Sequence, residues 1–347
     1  MPEVDLPEQL NIDELFLGER VANGEGDREA VRLDTGSLTY GDVDDLARRY
    51  GVALRSLGVL PEQRVLLALP DGADYVGALF GILRVGAVAV MVNPAVGVDD
   101  LRSMVERSRA PVAVVGGETA AAMEEARSRA GWDTRLLVAG GEAAGHPSLG
   151  DLDTSGDCPR FPTHRDDPAI WLFSGGTTGR PKAVPQTHRS FANTTALYTS
   201  AVGYRPDDVT MAVPKLFFGY ATGANLFFPF SVGATCVLFG ERPTPDVLYG
   251  KIERHRPSIL VHVPSAINQM LSHPRAREAD LSCLRFVTSA GEALPESLYH
   301  TWKERFGVEI LDGLGTAEMW HIFVTNLPGE VRPGTLGREV PGFDVRV

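Results

Sequence analysis

Long hydrophobic runs are absent from this sequence, and cysteine is scarce. No apolar stretch reaches the roughly 18 residues that a membrane-spanning helix requires. The acidic start MPEVDLPEQLNIDELF also lacks the apolar segment of a signal peptide. Cys158, Cys236 and Cys283 lie far apart and without metal-ligand spacing, which is typical of small core residues in a reducing compartment. We therefore predict a cytoplasmic protein that does not engage a membrane.

Net positive charge is missing as well. The chain has 33 basic and 45 acidic residues, a net charge of −12. A protein that neutralises nucleic-acid phosphates needs a basic surface, so DNA and RNA are excluded as main partners, whereas a small anion in a local pocket is not. With 347 residues, 44% of them hydrophobic, the chain is long enough for two or three folding units.

Apolar runs alternate with helical patterns along most of the chain. Runs at 65–69 and 87–92 flank an amphipathic helix near 73–84, and PVAVV and TRLLVA continue the series. Further strands are predicted at 169–173, 209–213, 234–239, 258–263 and 284–289. Continuous apolar strands separated by helices indicate a parallel sheet covered on both faces.

We predict an α/β fold of two stacked subdomains, with mostly parallel sheets covered by helices. The segment 139–168 is rich in Gly, Pro and Asp and is interpreted as a connector. The predicted subdomains are therefore 1–168 and 169–330, and 331–347 begins a small β-rich subdomain. The irregular start of the chain carries no predicted strand.

A glycine-rich loop follows the predicted strand AIWLF in the stretch WLFSGGTTGRPKAV. Glycines let several backbone N–H groups point into one concavity, where they bind phosphate oxygens, and a lysine adds positive charge. A flexible surface turn is the alternative, since glycine clusters are common in loops. The loop is not a Walker sequence, because Arg180 and Pro181 separate Gly179 from the lysine and Ala183 replaces the metal-binding hydroxyl. The candidate phosphate-binding residues are Ser174, Gly175, Gly176, Thr177, Thr178, Gly179 and Lys182.

This loop resembles the signature [ST]-S-G-[ST]-T-G-x-P-K-G of the acyl-adenylate-forming, AMP-binding superfamily. SAGEALP (289–295), DGLGTAEM (312–319), RPGTLGREVPG (332–342) and SLTYGDV are similar to other segments of that superfamily and occur in the same order. The stretches 215–235 and 289–323, with the early ELFLGERVANGEGDREAV, most resemble benzoate and aryl-acid CoA ligases. The resemblance covers nearly the whole chain.

The resemblance implies binding of ATP and Mg²⁺. Lys182 would offset phosphate charge, and Glu318 matches the magnesium-binding glutamate. The other implied nucleotide-binding residues are Gly291, Glu292, Asp312, Gly313 and Thr316. Taken alone, Glu292 and Asp312 would be ordinary loop acids or helix caps. The sequence departs from the pattern at Gly175, where serine is usual, and at Ala317, where the family has threonine.

An aromatic acid is the implied substrate. By the resemblance it lies between the FFGY helix and the EMWHIF segment, in contact with Phe218, Tyr220, Ala221, Ala290, Gly315, His321 and Ile322. His321 would orient the carboxylate or a ring substituent, and we assign it a catalytic role with Lys182 and Glu318. Phe227 and Phe228 are predicted to pack in the core, and His188 to cap the following helix.

The implied activity is that of an acid–thiol ligase: ATP-dependent activation of a benzoate-like acid as its acyl-adenylate, then thioester formation with CoA. In one alternative, the protein passes the adenylate to a carrier-protein thiol or another nucleophile. In another, it only binds ATP or the acid without turnover. The family's catalytic lysine, ribose-binding aspartate and hinge do not appear before Val347. We therefore expect the chain to be the N-terminal portion of such a ligase, without its mobile C-terminal domain and with weak activity alone.

Overall fold

A computed structural model describes residues 4–141, 145–174 and 182–346. The chain divides into two compact units. The first comprises Leu6–Arg28 and Leu38–Ala192, and the second comprises Met1–Asp5, Glu29–Ser37 and Asn193–Val347. None of the described helices is both long enough and apolar enough to cross a membrane.

The described elements alternate between strands and helices as the hydrophobic pattern predicts. The strands are β1 (Glu29–Leu33), β2 (Gly36–Thr39), β3 (Arg64–Ala68), β4 (Val88–Met91), β5 (Val112–Gly116), β6 (Arg135–Ala139), β7 (Pro168–Ser174), β8 (Lys182–Thr187), β9 (Val209–Ala212), β10 (Thr235–Val237), β11 (Ile259–His262), β12 (Phe286–Ser289), β13 (Glu309–Gly315), β14 (Ile322–Thr325) and β15 (Arg338–Glu339). The helices are α1 (Tyr40–Ser56), α2 (Ala73–Arg84), α3 (Val98–Ser108), α4 (Gly117–Ala130), α5 (His188–Val202), α6 (Gly219–Thr222), α7 (Phe228–Val232), α8 (Pro245–His255), α9 (Pro264–Ser272) and α10 (Glu296–Phe306).

A six-stranded sheet forms the centre of the first unit, in the order β6-β5-β3-β4-β7-β8. Its strands are parallel except for the antiparallel pair β7–β8. The apolar runs that predicted β3 and β4 are buried, as expected for strands covered by helices on both faces. Helix α2 begins and ends at the predicted residues, Ala73 and Arg84. The α/β fold with mostly parallel sheets is thereby confirmed.

The second unit contains a nine-stranded sheet in the order β15-β14-β13-β12-β11-β9-β10-β1-β2. Strands β13 to β1 pair in parallel, and β14 and β15 are added antiparallel at one edge. Helix α10 ends at Phe306, and Gly307 is its left-handed C-cap with φ 72°. Phe227 and Phe228 are completely buried, as predicted.

The compact units differ in extent from the predicted segments 1–168 and 169–330. Strand β7 pairs with β4 and therefore belongs to the sheet of the first unit. The start of the chain is not irregular throughout, because β1 pairs with β10 in the sheet of the second unit. Strand β15, in the segment 331–347, extends that same sheet rather than standing apart. A local apolar pattern identifies a strand but carries no information on which distant strand it will pair with.

His188 has a different role from the predicted helix cap. Its imidazole is buried, and its Nδ1 accepts a hydrogen bond of 3.2 Å from the backbone N–H of Ile12. Burial lowers the pKa of His188 to about 4, so the ring is neutral at physiological pH. The described bond therefore joins α5 to the N-terminal segment of the same unit.

Candidate functional site

The helical segment 219–232 of the second unit forms one wall of the candidate site. It consists of α6, a π-helical turn at Gly223–Phe227, and α7. A π turn within a helix widens the backbone locally and is frequent at functional sites. Gly223 lies at the junction of α6 and the π turn, with ordinary helical dihedral angles of φ −67° and ψ −68°.

His321 packs against this helical wall from the turn that follows β13. Its side chain is only 2% exposed. The imidazole lies in an aromatic cluster, with ring centroids 4.5 Å from Phe228, 5.3 Å from Tyr198, 5.4 Å from Tyr220 and 5.6 Å from Trp320. Its Nε2 lies 3.1 Å from the backbone carbonyl oxygen of Tyr220. We call these five residues the His321 aromatic cluster.

Two glycines allow His321 to approach so closely. A Cβ atom on Gly223 would lie 2.4 Å from Cδ2 of His321, and one on Gly315 would lie 2.7 Å from its carbonyl oxygen. The intervening Trp320 has a positive φ of 66°, an unfavourable conformation for a bulky residue that is maintained only where surrounding packing imposes it. The imidazole therefore packs against the helix at positions where only glycine fits.

The hydrogen bond to Tyr220 identifies the tautomer of His321. A carbonyl oxygen only accepts, so Nε2 carries the hydrogen and donates it. The Nδ1 atom is then an acceptor, and it is buried without a hydrogen-bond partner in the described part of the chain. Burial lowers the pKa of His321 to about 3. The ring is therefore neutral under physiological conditions.

Because His321 is neutral, we predict that its ring does not titrate near physiological pH. Because its pKa lies below the ordinary value of about 6.5, the ring should bind no proton as the pH falls from 8 to 5. The imidazole NMR signals that disappear in His321→Asn should keep the chemical shift of the neutral ring over that range. A titration midpoint between pH 6 and 7 for these signals would contradict the assignment.

Polar groups converge at the carboxyl ends of β12 and β13, beside Tyr220. The Tyr220 hydroxyl donates to Oγ1 of Thr288 at 2.8 Å, and Ser289 is in register with Asp312 on the neighbouring strand. Asp312 is 5% exposed, and its Oδ1 has no hydrogen-bond partner in the described part of the chain. Burial raises the pKa of the Asp312 carboxyl above its ordinary value. This edge, where open α/β sheets bind ligands, therefore carries several buried polar groups.

Glu292 caps a helix, which is the ordinary role that the sequence analysis gave for this residue taken alone. Its carboxylate accepts hydrogen bonds of 2.9 Å from both the backbone N–H and the hydroxyl of Ser265, in the first turn of α9. A carboxylate at that position satisfies an unpaired amide and interacts favourably with the helix dipole. The neighbouring Gly291 has φ 88° and open space around it. A groove of about 590 Å³ runs beside Glu292, between α9 and α10.

The predicted magnesium ligand lies in the turn after β13. This residue, Glu318, is exposed, and its role as a magnesium ligand stays a prediction. Thr316 Oγ1 accepts a hydrogen bond of 3.2 Å from the backbone N–H of Met319 and so closes this turn. No group of three or more His, Cys, Asp or Glu side chains suited to a metal ion occurs within residues 4–141, 145–174 and 182–346.

The glycine-rich loop is described only at its two ends. Lys182 is the exposed first residue of β8, and it is in register with Ser174, the last residue of β7. The predicted phosphate-binding residues between them, Gly175, Gly176, Thr177, Thr178 and Gly179, lie outside the described residues. Their assignment therefore stays a prediction.

The remaining residues predicted to contact the substrate differ in their exposure to solvent. Ala221, Ala290 and Ile322 are buried, whereas Phe218 is 51% exposed and packs on Phe217 with ring centroids 4.5 Å apart. Gly313, a predicted nucleotide-binding residue, lies in β13, where a Cβ atom would be 2.8 Å from Cγ2 of Ile322. Sequence reasoning missed Tyr198, Gly223, Thr288 and Trp320 as parts of this site. Only Gly223 carried a local signal, a glycine inside a helical pattern.

Comparison with known families and relatives shows which proteins this chain is similar to. A family model described as AMP-binding enzyme matches residues 18–347. A benzoate–CoA ligase of Thauera aromatica is 39% identical over 350 residues, covering 100% of this chain and 66% of the relative. A 4-hydroxybenzoate–CoA/benzoate–CoA ligase of Rhodopseudomonas palustris is 37% identical over 336 residues, covering 96% of this chain and 62% of the relative. The chain thus spans somewhat less than two thirds of the length of these relatives.

Solved structures of similar proteins have the same fold. An anthranilate CoA ligase in complex with anthranoyl-AMP superposes with a TM-score of 0.94 at 34% identity, over 99% of this chain and 67% of that one. A benzoate CoA ligase from Burkholderia xenovorans LB400 superposes with a TM-score of 0.87 at 36% identity, over 96% of this chain and 66% of that one.

Proposed function

The chain belongs to the AMP-binding enzyme family, and from that premise we propose that it activates an aromatic carboxylic acid with ATP in the cytoplasm. In the first step a carboxylate oxygen attacks the α-phosphorus of ATP, and pyrophosphate leaves with the electron pair of the broken P–O bond. In the second step the thiol of CoA attacks the acyl carbonyl, and AMP leaves. Catalysis of this kind depends mainly on positioning and on offsetting developing charge.

The observation that carries the proposal is the His321 aromatic cluster. Rigid aromatic side chains provide flat apolar walls, which suit a planar ring better than a flexible aliphatic chain. Buried Ala221 and Ala290 are among the small residues that we assign to the substrate pocket. The similar proteins named as benzoate, hydroxybenzoate and anthranilate CoA ligases support the same class of acid.

We assign nucleotide binding to the polar edge of the second unit, at the carboxyl ends of β12 and β13. We assign Asp312, which is 5% exposed and in register with Ser289, to the adenine side of the nucleotide site. In the first unit, exposed Lys182 would contact the phosphates together with the glycine-rich loop. Exposed Glu318 would hold Mg²⁺, which proteins commonly bind through one or two carboxylates plus substrate phosphates. When bound, that ion neutralises phosphate charge.

A panel of acids tests the substrate class. Ligands that bind the folded state raise the melting temperature by mass action. Benzoate, 3-hydroxybenzoate, 4-hydroxybenzoate and 2-aminobenzoate should each raise the Tm of this chain more than hexanoate or octanoate at equal concentration, in the presence of Mg²⁺ and ATP. A panel in which the aliphatic acids produce the larger shifts would overturn the aromatic assignment.

A further inference from the structure

Thr288 places a hydroxyl group in the interior of the second unit, away from its water-exposed surface. The residue is completely buried on β12, which pairs in parallel with β11 on one side and with β13 on the other. Its Oγ1 accepts a hydrogen bond of 2.8 Å from the hydroxyl of Tyr220. Because strand pairing on both sides fixes β12, this acceptor has a fixed position in the unit.

Valine would suit this position better than threonine if only the packing of the sheet mattered. The two side chains have nearly the same shape, and both favour strands. Valine also lacks the polar atom that costs free energy when it is buried without a hydrogen bond. The hydroxyl of Thr288 is therefore explained by its bond to Tyr220 rather than by the sheet.

Tyr220 needs such a partner to hold its ring in one orientation. It lies on α6, a short helix of four residues. An aromatic side chain on a helix commonly adopts χ1 near about 180° or −60°, so the helix alone does not fix the ring. Burial raises the pKa of the Tyr220 hydroxyl well above its ordinary value, so this group keeps its hydrogen and remains a donor. The bond to Thr288 therefore selects the rotamer that reaches β12.

The ring that is held in this way lies beside His321. The centroids of the two rings are 5.4 Å apart, and the backbone carbonyl oxygen of Tyr220 accepts the hydrogen bond from Nε2 of His321. Tyr220 is thus tied to the sheet through its hydroxyl and to His321 through its carbonyl. Both Tyr220 and His321 belong to the acid pocket that we assign, whereas no role in that pocket has been assigned to Thr288.

We propose that Thr288 is a positioning residue of the acid site, whose hydroxyl holds the Tyr220 ring in the orientation that forms a wall for the aromatic ring of the substrate. This inference rests on the proposed function. A side chain that is already held in its binding orientation loses less conformational entropy when the ligand binds. Removal of the Thr288 hydroxyl should therefore weaken binding of the acid and leave binding of the nucleotide unchanged.

Thr288→Val and Thr288→Ser separate positioning from stability. Calorimetry on the whole chain gives the dissociation constants for benzoate and for Mg–ATP, and thermal unfolding gives the Tm. Thr288→Val keeps the shape but has no acceptor, so it should bind benzoate about 2- to 12-fold more weakly, the loss that corresponds to one net hydrogen bond. Thr288→Ser keeps the acceptor but loses a buried methyl group, so it should have a lower Tm and the benzoate affinity of the wild type. Both variants should bind Mg–ATP as the wild type does.

A double-mutant cycle with Tyr220→Phe tests whether Thr288 acts through Tyr220. Tyr220→Phe removes the other partner of the bond and should weaken benzoate binding by a similar factor. In that background Thr288→Val should cause no further loss, because the interaction is already absent. If Thr288→Val does not fold, the benzoate affinities of Tyr220→Phe and Thr288→Ser still decide the question.

Three results would overturn the inference: wild-type benzoate affinity in Thr288→Val or in Tyr220→Phe, a benzoate affinity that follows the Tm so that Thr288→Ser is also impaired, and a full additional loss from Thr288→Val in the Tyr220→Phe background. Failure of the proposed function is recognisable separately, because the wild-type chain would then bind no aromatic acid. That result would overturn both.

Discussion

Gly223→Ala should weaken benzoate binding by about 5- to 150-fold, one of the two largest effects that we expect from a single substitution. A Cβ atom at this position would lie 2.4 Å from Cδ2 and 2.7 Å from Nε2 of His321, and 3.2 Å from Cζ of Phe228. The imidazole must shift and lose its bond to Tyr220, and such overpacking of a dense interior typically costs about 1–3 kcal/mol. Alanine is otherwise favourable in a helix, so any loss comes from this contact. Calorimetry with benzoate measures the effect.

Gly250→Ala is the matched control. Gly250 lies in α8 of the same unit, and a Cβ atom there meets nothing within 4 Å. Because glycine inside a helix costs about 0.5–1 kcal/mol relative to alanine, this variant should be as stable as the wild type or more so and should bind benzoate unchanged. Wild-type benzoate affinity in Gly223→Ala would show that His321 and its helical wall do not form the acid site.

Lys182→Ala should weaken binding of Mg–ATP by about 10- to 100-fold, since a hydrogen bond to a charged group contributes about 1.5–3 kcal/mol. Lys182 is exposed and lies at the end of the glycine-rich loop, so its removal should leave the fold and the Tm without ligand nearly unchanged. Calorimetric titration with Mg–ATP gives the dissociation constant. Binding of benzoate alone should not change, because we assign Lys182 to the phosphates.

Lys303→Ala separates this effect from a general loss of positive charge. Lys303 is also partly exposed, on α10, and its ammonium lies 3.8 Å from a carboxylate oxygen of Glu309. Exposed pairs of this kind contribute little to stability. Equal Mg–ATP affinities in Lys182→Ala, Lys303→Ala and the wild type would remove the lysine of the glycine-rich loop from nucleotide binding.

The sequence alone was sufficient for the layered fold and for the family. Continuous apolar runs identified β3, β4 and β5, because strands buried on both faces by helices must be apolar along their whole length. Helix α2 was predicted near 73–84 and spans Ala73–Arg84, although it is buried all round from Tyr75 to Arg84 rather than along one face. The family followed from a long glycine-rich motif and its companions, which are contiguous in the chain.

Pairing between distant segments was decided only by the tertiary structure. Strand β1 lies beside β10, where Val31 is in register with Cys236, and nothing in the local sequence of either strand specifies the other. Strand β7 likewise joins β4, although its apolar run reads equally well as the start of the second unit. Strand propensity is a local property, whereas the choice of neighbour depends on the packing of the whole layer.

The chemistry of the site shows the same division. The motif DGLGTAEMWHIF predicts that His321 lies near a substrate. Its tautomer, however, follows from its bond to the carbonyl oxygen of Tyr220, about a hundred positions earlier in the chain, and its neutrality follows from burial. Glu292 belongs to a family motif, yet its contact with Ser265 on α9 became evident only in the structure. Residue types and their order thus determined which groups are available. Burial and contacts between distant segments decided which of those groups donate, accept or remain unpaired, because pKa values and hydrogen bonds depend on three-dimensional surroundings.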